Sequence, residues 1–266
     1  MTIKKVSGLV IGTRKTGTTW LYENMCRDHR VSLSGKVKES GFFTGSSRLD
    51  EARYHGLFDS KEDAPYLEVD TSVCYSQGAP DCIEQYNPEM RIVLIFREPG
   101  AFLASRHTHS LRKGELSEAY PAEALAANTW LRAELDYPAI TERFARFGDR
   151  LSIFKYSQVE EDPVGFYSDV LSALSISDDG SFIPETQPVN VSRDSRLRVV
   201  STLLSKGAIT ARHFGLHRLV NGLKSLDLHK RLELHNDDAR KSRSGDLAAH
   251  AVAKIMPDTL RFYNTL

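Results

Sequence analysis

The sequence predicts an α/β fold, a P-loop-like central parallel β-sheet flanked by helices on both faces, and three stretches carry that prediction. Val6 to Leu21, VSGLVIGTRKTGTTWL, runs a short apolar strand into a Gly- and Thr-rich loop bearing a lysine, and then into a helix. Ile92 to Phe96 is a continuous apolar run rich in β-branched residues, the pattern of a strand buried on both faces of a parallel sheet. Leu151 to Tyr156, LSIFKY, reads as another parallel strand.

Taken in order, strand 6–12, loop 13–18 and helix 19–29 open the chain, and Gly41 to Lys61 is polar, aromatic and loop-like. Leu67 to Val69 is a short strand, and Ile92 to Phe96 the next. A helix is expected over 101–112, with Pro99 suited to its first turn. Pro121 to Leu135, PAEALAANTWLRAEL, has alanine-rich helical periodicity starting near its proline. Ile140 to Phe147 continues as an amphipathic helix that Gly148 ends. Asp162-Pro163 starts a further helix, and Ala248 to Leu266 should form a terminal one ending near Tyr263. No repeat, low-complexity tract or linker divides the chain, so 1–266 is expected to be a single domain, with 190–266 mostly helical.

At 266 residues the chain is long enough to bury a proper core, and 41% hydrophobic with 26% charged residues is ordinary for a soluble globular protein. Thirty-five basic residues balance thirty-five acidic ones, so no global field argues for nucleic acid or a membrane surface. Cys26, Cys74 and Cys82 are odd in number and not spaced for disulfides or metal, which reads as reduced thiols in a cytoplasmic setting. The basic start, MTIKKVSGLVIG, contains only a very short apolar run, so neither a signal peptide nor an integral membrane segment is expected.

A strand, a glycine-punctuated turn and a helix N-terminus make an anion cradle of backbone N–H groups at the positive end of a helix. The loop departs from the ATP- and GTP-binding version, which needs G-x-x-x-x-G-K-[ST]. Here Gly12 and Gly17 are followed by Thr18 and Thr19, and the lysine has moved inside the loop, to Lys15. The lysine that would reach a γ-phosphate is missing, which favours a nucleotide with a 5′-phosphate and something else to transfer. At the end of the Ile92–Phe96 strand, where ligands bind in open α/β sheets, stands Arg97. Ser105 lies about one turn into the following helix. A planar charged fork and a hydroxyl are a sensible pair for a second phosphate.

The segment TRKTGTTWL resembles the 5′-phosphosulfate loop of the sulfotransferases that use 3′-phosphoadenosine-5′-phosphosulfate (PAPS), and Arg97 with Ser105 eight residues on is similar to that family's 3′-phosphate motif. Val37 to Thr44, VKESGFFT, resembles the Lys-Glu pair and paired aromatics of the heparan-sulfate and bacterial carbohydrate types. The resemblance implies that Lys15 and the amides of Thr16, Gly17, Thr18 and Thr19 hold the 5′-phosphosulfate, that Arg14 and Trp20 also bind the cofactor, and that Arg97 and Ser105 hold the 3′-phosphate. It makes Glu39 the general base beside Lys38, with Phe42 and Phe43 as pocket wall, and gives Lys15 the charge on the leaving oxygen. Tyr66 to Tyr75, YLEVDTSVCY, resembles the family's next strand, placing Asp70, Thr71 and Ser72 at the mouth of the site. This chain has Val69 and Asp70 where the family often has a lysine. Arg193, with Arg196 and Arg198, would close over the 3′-phosphate, although the cytosolic R-K-G signature is absent there.

The function so implied is sulfonate transfer from PAPS, leaving 3′,5′-adenosine bisphosphate (PAP), to a hydroxyl of a small-molecule, carbohydrate or glycosylated natural-product acceptor, by in-line displacement and without metal. The absence of a membrane tether suggests a bacterial or otherwise cytoplasmic enzyme, with no nucleic-acid partner; the oligomeric state stays open. His109, one turn after Ser105, is a rival base. Residues 193–243 could form an acceptor lid, an amphipathic stretch touching a lipid-linked substrate or a solvated helix pair. Other readings are a P-loop nucleotide kinase, disfavoured because the strand ends in Arg97 where an acid is wanted, and a non-catalytic PAPS- or PAP-binding module.

Overall fold

The computed structural model describes residues 4–35, 37–47, 49–58, 64–187 and 238–266. The first half of the chain contains β1 (Val6–Gly12), α1 (Thr18–Arg27), α2 (Glu51–His55), β2 (Tyr66–Val69), α3 (Ala79–Tyr86), β3 (Arg91–Phe96) and α4 (Pro99–Lys113). There follow α5 (Pro121–Ala127), α6 (Thr129–Leu135), α7 (Tyr137–Phe144), β4 (Leu151–Lys155), α8 (Ser157–Glu161), α9 (Pro163–Ala173), α10 (Asp238–Ile255) and α11 (Pro257–Thr265). Among the described residues four strands form one parallel sheet in the order β2-β1-β3-β4.

Strand alternation divides the core between the two faces of this sheet. Leu9, Ile11, Ile92, Leu94 and Phe96 point to one side and pack with Phe102 and Leu103 of α4, Leu125, Leu131 and Ile140 of α5–α7, and Val252 of α10. Val10, Val93, Ile95, Leu67 and Val69 point to the other, against Trp20, Leu21 and Met25 of α1 and Phe166, Val170 and Leu171 of α9. Each such fully buried aliphatic side chain contributes about 1.5–3 kcal/mol. Gly100 lets α4 approach α10 closely, since a side chain there would meet Ala249 Cα at 2.8 Å. Among the described residues no helix is long and apolar enough to cross a membrane.

The expected sheet is present, and the expected helices differ in their breaks. α1 stops at Arg27 because Asp28 adopts extended backbone, its carboxylate accepting from Arg30 Nη2 at 2.8 Å and Tyr167 Oη at 2.9 Å. The single helix expected over 121–135 is two: Asn128, at φ −110 and ψ 109, turns its amide back onto Ala124 O (2.9 Å) and out to Glu118 (3.2 Å). α7 ends at Phe144, and Gly148 instead takes φ 51 inside a following 3-10 turn. The terminal helix is also two, because Met256 precedes a proline and is driven out of helical geometry. The stretch expected to be loop contains α2, capped by Asp50, which accepts from Arg53 N at 2.8 Å. Arg193, Arg196, Arg198 and most of the 193–243 segment lie outside the described residues.

Candidate active site

The chain leaves β1 into α1 on one face and leaves β3, its neighbour, into α4 on the other. Adjacent strands diverging in this way open a crevice at their C-terminal ends, the switch point where open α/β sheets bind ligands. Lys15 and Arg97, singled out in the sequence, meet at that edge. The loop between β1 and α1 is stapled to β3: Thr13 N and Oγ1 both donate to Ile95 O (2.5 and 3.1 Å), and Thr16 Oγ1 closes back on Thr13 O at 2.5 Å. Lys15 and Gly17 take left-handed backbone, φ 65 and φ 72, turning the chain into α1. No side chain caps that helix and no acid stands in its first turn, leaving its N–H groups and positive end to an anion. Thr16 and Thr18 are buried in this turn, and Thr19 is half-buried.

Arg97 follows β3 and bridges to the loop. Its Nη1 donates to Lys15 O at 3.1 Å, its guanidinium lies 4.8 Å over the Tyr156 ring, and its carbonyl accepts from Tyr137 Oη at 2.9 Å. Glu98 then caps α4 by accepting from Gly100 N (2.9 Å) and Ala101 N (2.6 Å), with Pro99 in the first turn as expected. Ser105 stands half-buried on α4, about 9 Å along the axis from Pro99. His109 and Arg112 continue that stripe at helical spacing. Burial lowers the Lys15 ammonium below its ordinary 10.5, and the charges of Arg97, Arg106, Arg112 and Lys113 push it the same way. This is a concentrated positive field at the mouth of β1 and β3.

Glu39 enters from the β2 side. Its carboxylate Oε1 accepts from Thr71 Oγ1 at 2.6 Å and Lys38 Nζ at 2.9 Å. Burial pushes its pKa up, but the Thr71 and Lys38 contacts more than offset that, so the carboxyl lies below its ordinary 4.5 and is ionised at neutral pH. A side chain at Gly12 would meet Thr71 Cα at 3.5 Å and Cys74 Sγ at 3.1 Å. The residue that holds the Glu39 carboxylate is therefore packed against the start of the Lys15 loop.

Other expected residues are engaged differently. The Arg14 guanidinium pairs with buried Glu134 and lies 5.0 Å over the Tyr75 ring, while its backbone N donates to Tyr75 Oη at 3.1 Å. Trp20 is buried against Phe166 and Tyr167, its indole N–H donating to Glu185 O at 2.5 Å. Phe42 and Phe43 belong to an aromatic cluster with Tyr54 and Tyr86. His109, the rival base, has Lys15 as its strongest charged neighbour. Burial, then Lys15, Lys113 and Arg106, lower it to about 4, so it is a neutral imidazole at physiological pH. Among the described residues no cluster of His, Cys, Asp or Glu could hold a metal.

The sequence reading missed Tyr156 and Glu134. Tyr156 ends the LSIFKY run, and its position at the C-terminal edge of a parallel strand was the available signal. Glu134 lies three residues after Leu131 on the buried stripe of α6, and it collects Arg106 Nε at 2.7 Å as well as Arg14. An acid on an apolar stripe is the sign of a buried partner. Tyr156 also constrains the loop, since a Cβ at Gly17 would stand 2.9 Å from its Cε2. Gly17→Ala, at a positive φ and against that ring, should cost about 1–2 kcal/mol. That corresponds to roughly 2–8 °C in Tm. It should also weaken anion binding at the loop. A melting curve and a PAP titration check both effects, and an unchanged affinity would remove the loop conformation from binding.

The sulfotransferase from Alicyclobacillus acidocaldarius superposes on this chain with a TM-score of 0.60, at 19% identity, covering 82% of this chain and 96% of that one. This chain has the sulfotransferase fold. Two sulfotransferases superpose less well, each with a TM-score of 0.46: the sulfotransferase domain from the curacin biosynthetic pathway (9% identity, 66% of this chain, 75% of that one) and mouse sulfotransferase SULT7A1 complexed with PAP (16% identity, 75% of this chain, 66% of that one). No family model matches the chain, and no curated protein matches it.

Proposed function

We propose that the chain is a PAPS-dependent sulfotransferase acting on a hydroxyl of a small-molecule, carbohydrate or glycosylated natural-product acceptor. The observation that carries this reading is the convergence at the switch point of Lys15, Arg97 and, through Thr71 packed on Gly12, the ionised Glu39. The residues fit a bisphosphorylated nucleotide. An uncapped helix N-terminus and Lys15 suit the 5′ end, Arg97 and Ser105 suit the 3′-phosphate, and Tyr156 beneath Arg97 offers an aromatic wall. PAPS supplies an activated sulfonate and, in PAP, a stable leaving group. Glu39 takes the acceptor's proton as the acceptor oxygen bonds to sulfur, because an alcohol attacks poorly until a positioned base removes that proton. Lys15 meets the charge that develops on the departing phosphate oxygen as its bond to sulfur breaks. In this reading Arg14 braces the loop from behind through Glu134, and Arg193 is a further candidate for the 3′-phosphate.

Calorimetric titration with PAP, beside ATP plus Mg²⁺, tests the reading. Tight binding of PAP alone is expected. ATP bound with no preference for the 3′-phosphate would sink it in favour of a kinase. Arg97→Ala should weaken PAP roughly 10- to 100-fold, the range for losing a charge-assisted contact. The variant should remain folded, and an unchanged PAP affinity would take Arg97 out of the site.

A further inference from the structure

The segment bearing Glu39 is tied to the end of β2 by three consecutive backbone N–H groups. Glu39 N donates to Val69 O at 3.3 Å, Ser40 N to Glu68 Oε1 at 3.1 Å, and Gly41 N to Asp70 Oδ2 at 2.7 Å. Those tethers matter because Glu39 sits at φ 63, in left-handed backbone that a residue with a Cβ resists. Asp70 is shared, its Oδ1 accepting from Ser72 N and Oγ at 2.8 and 2.6 Å. Glu68 is only 6% exposed, and its other oxygen, Oε2, accepts from Tyr54 Oη at 2.5 Å. Tyr54 is fully buried, and its ring stacks on Phe42, two residues after Ser40, at 3.9 Å and 2°. One carboxyl thus fixes both the Ser40 amide and the aromatic platform on which the same segment rests. A carboxyl in such a setting is costly unless its hydrogen bonds are needed.

We infer that Glu68 is a positioning residue for the base: through the Ser40 amide it keeps the Glu39 backbone left-handed and the Glu39 carboxylate on the Thr71 hydroxyl. This inference rests on the reading of Glu39 as base. Burial, with a smaller push from Asp70, raises Glu68 to about 7 against the pull of its Ser40 and Tyr54 contacts. The titratable groups facing it are Tyr54 of α2, Asp70 just past β2 and Tyr86 of α3.

The test is nuclear magnetic resonance on the full chain, following the Glu39 carboxyl carbon and the Ser40 and Gly41 amides through pH. Glu68→Gln keeps an oxygen for Ser40 and an amide for Tyr54, whereas Glu68→Leu fills similar space and offers Ser40 nothing. In wild type and Glu68→Gln, Glu39 should titrate below 4.5. In Glu68→Leu it should move back towards that value, and exchange of the Ser40 amide should speed at least tenfold while the β1 and β3 amides keep their protection. Wild-type Glu39 titration in Glu68→Leu, or an equal displacement in Glu68→Gln, overturns the inference. Should the leucine variant not fold, wild type compared with Glu68→Gln decides. Its Ser40 amide and Glu39 carboxyl should both show an inflection near 7 that Glu68→Gln abolishes, and the lack of that inflection overturns the tether. Turnover of Glu39→Gln tests the base separately, so a failed base with an intact tether is distinguishable from the reverse.

Discussion

Glu39→Gln should keep PAP binding and lose at least about 10²-fold in turnover, the lower range for removing a positioned general base. The substitution is nearly isosteric, and the glutamine oxygen can still accept from Thr71 Oγ1, which donates to the native carboxylate at 2.6 Å. What disappears is the capacity to take a proton. Because Thr71 and Lys38 hold the carboxyl below 4.5, the base is already ionised at neutral pH, and the acid limb of wild-type turnover should fall below that value. The sign for stability is the same: a lowered native pKa gives stability that is present above the unfolded value and lost as pH falls through the folded one. At 41% side-chain exposure that stabilising effect is heavily screened. The check is kcat for wild type and variant beside PAP affinity for both. Wild-type-like turnover would move the base elsewhere, and His109, beside Lys15 and neutral above about 4, is the next group to test.

Much of the site is legible in the sequence because its chemistry is local. The strand, loop and helix of 6–21 are contiguous, and so are β3, Arg97 and the capped start of α4, so their composition alone places Lys15 and Arg97 at one sheet edge. The Lys-Glu-x-x-Phe-Phe pattern points to Glu39. What holds these groups is non-local. Arg14 finds Glu134 at a separation of 120 residues, and Ser40 finds Glu68 across 28. No spacing rule predicts such pairs, because they form only when α6 folds over the sheet and β2 is laid beside β1. Trp20 shows a different local signal. Read as part of the loop motif, it falls with Leu21, Asn24 and Met25 on the buried stripe of α1, a period the sequence already contains. Two of the misjudged helix breaks share a cause: Asp28 and Asn128 satisfy backbone or neighbouring groups with their own side chains, which competes with helical hydrogen bonding.

Lys15→Ala should reduce turnover by about 10²- to 10³-fold, the scale of losing one preorganised group at a developing anion. The fall in PAP affinity should be smaller, since backbone amides, Arg97 and the helix terminus remain. Alanine is the right probe: at φ 65 it bears the same Cβ strain as lysine, whereas glycine would relax the loop and confound the comparison. The charge should also show itself in pH. Burial and the cations Arg97, Arg106, Arg112 and Lys113 make the free ammonium easier to deprotonate than an ordinary lysine at 10.5. An anion seated in the crevice compensates that field and raises the pKa again. By linkage, PAP binding then takes up protons, and affinity should fall as pH rises through the depressed Lys15 value. Lys15→Ala should flatten that alkaline limb while leaving the acid limb set by Glu39 in place. PAP titrations of both proteins from neutral to alkaline pH read the Lys15 limb, and turnover of both below pH 4.5 reads the Glu39 limb. An alkaline limb that survives in Lys15→Ala assigns the proton to another group, and turnover within threefold of wild type removes Lys15 from the leaving oxygen.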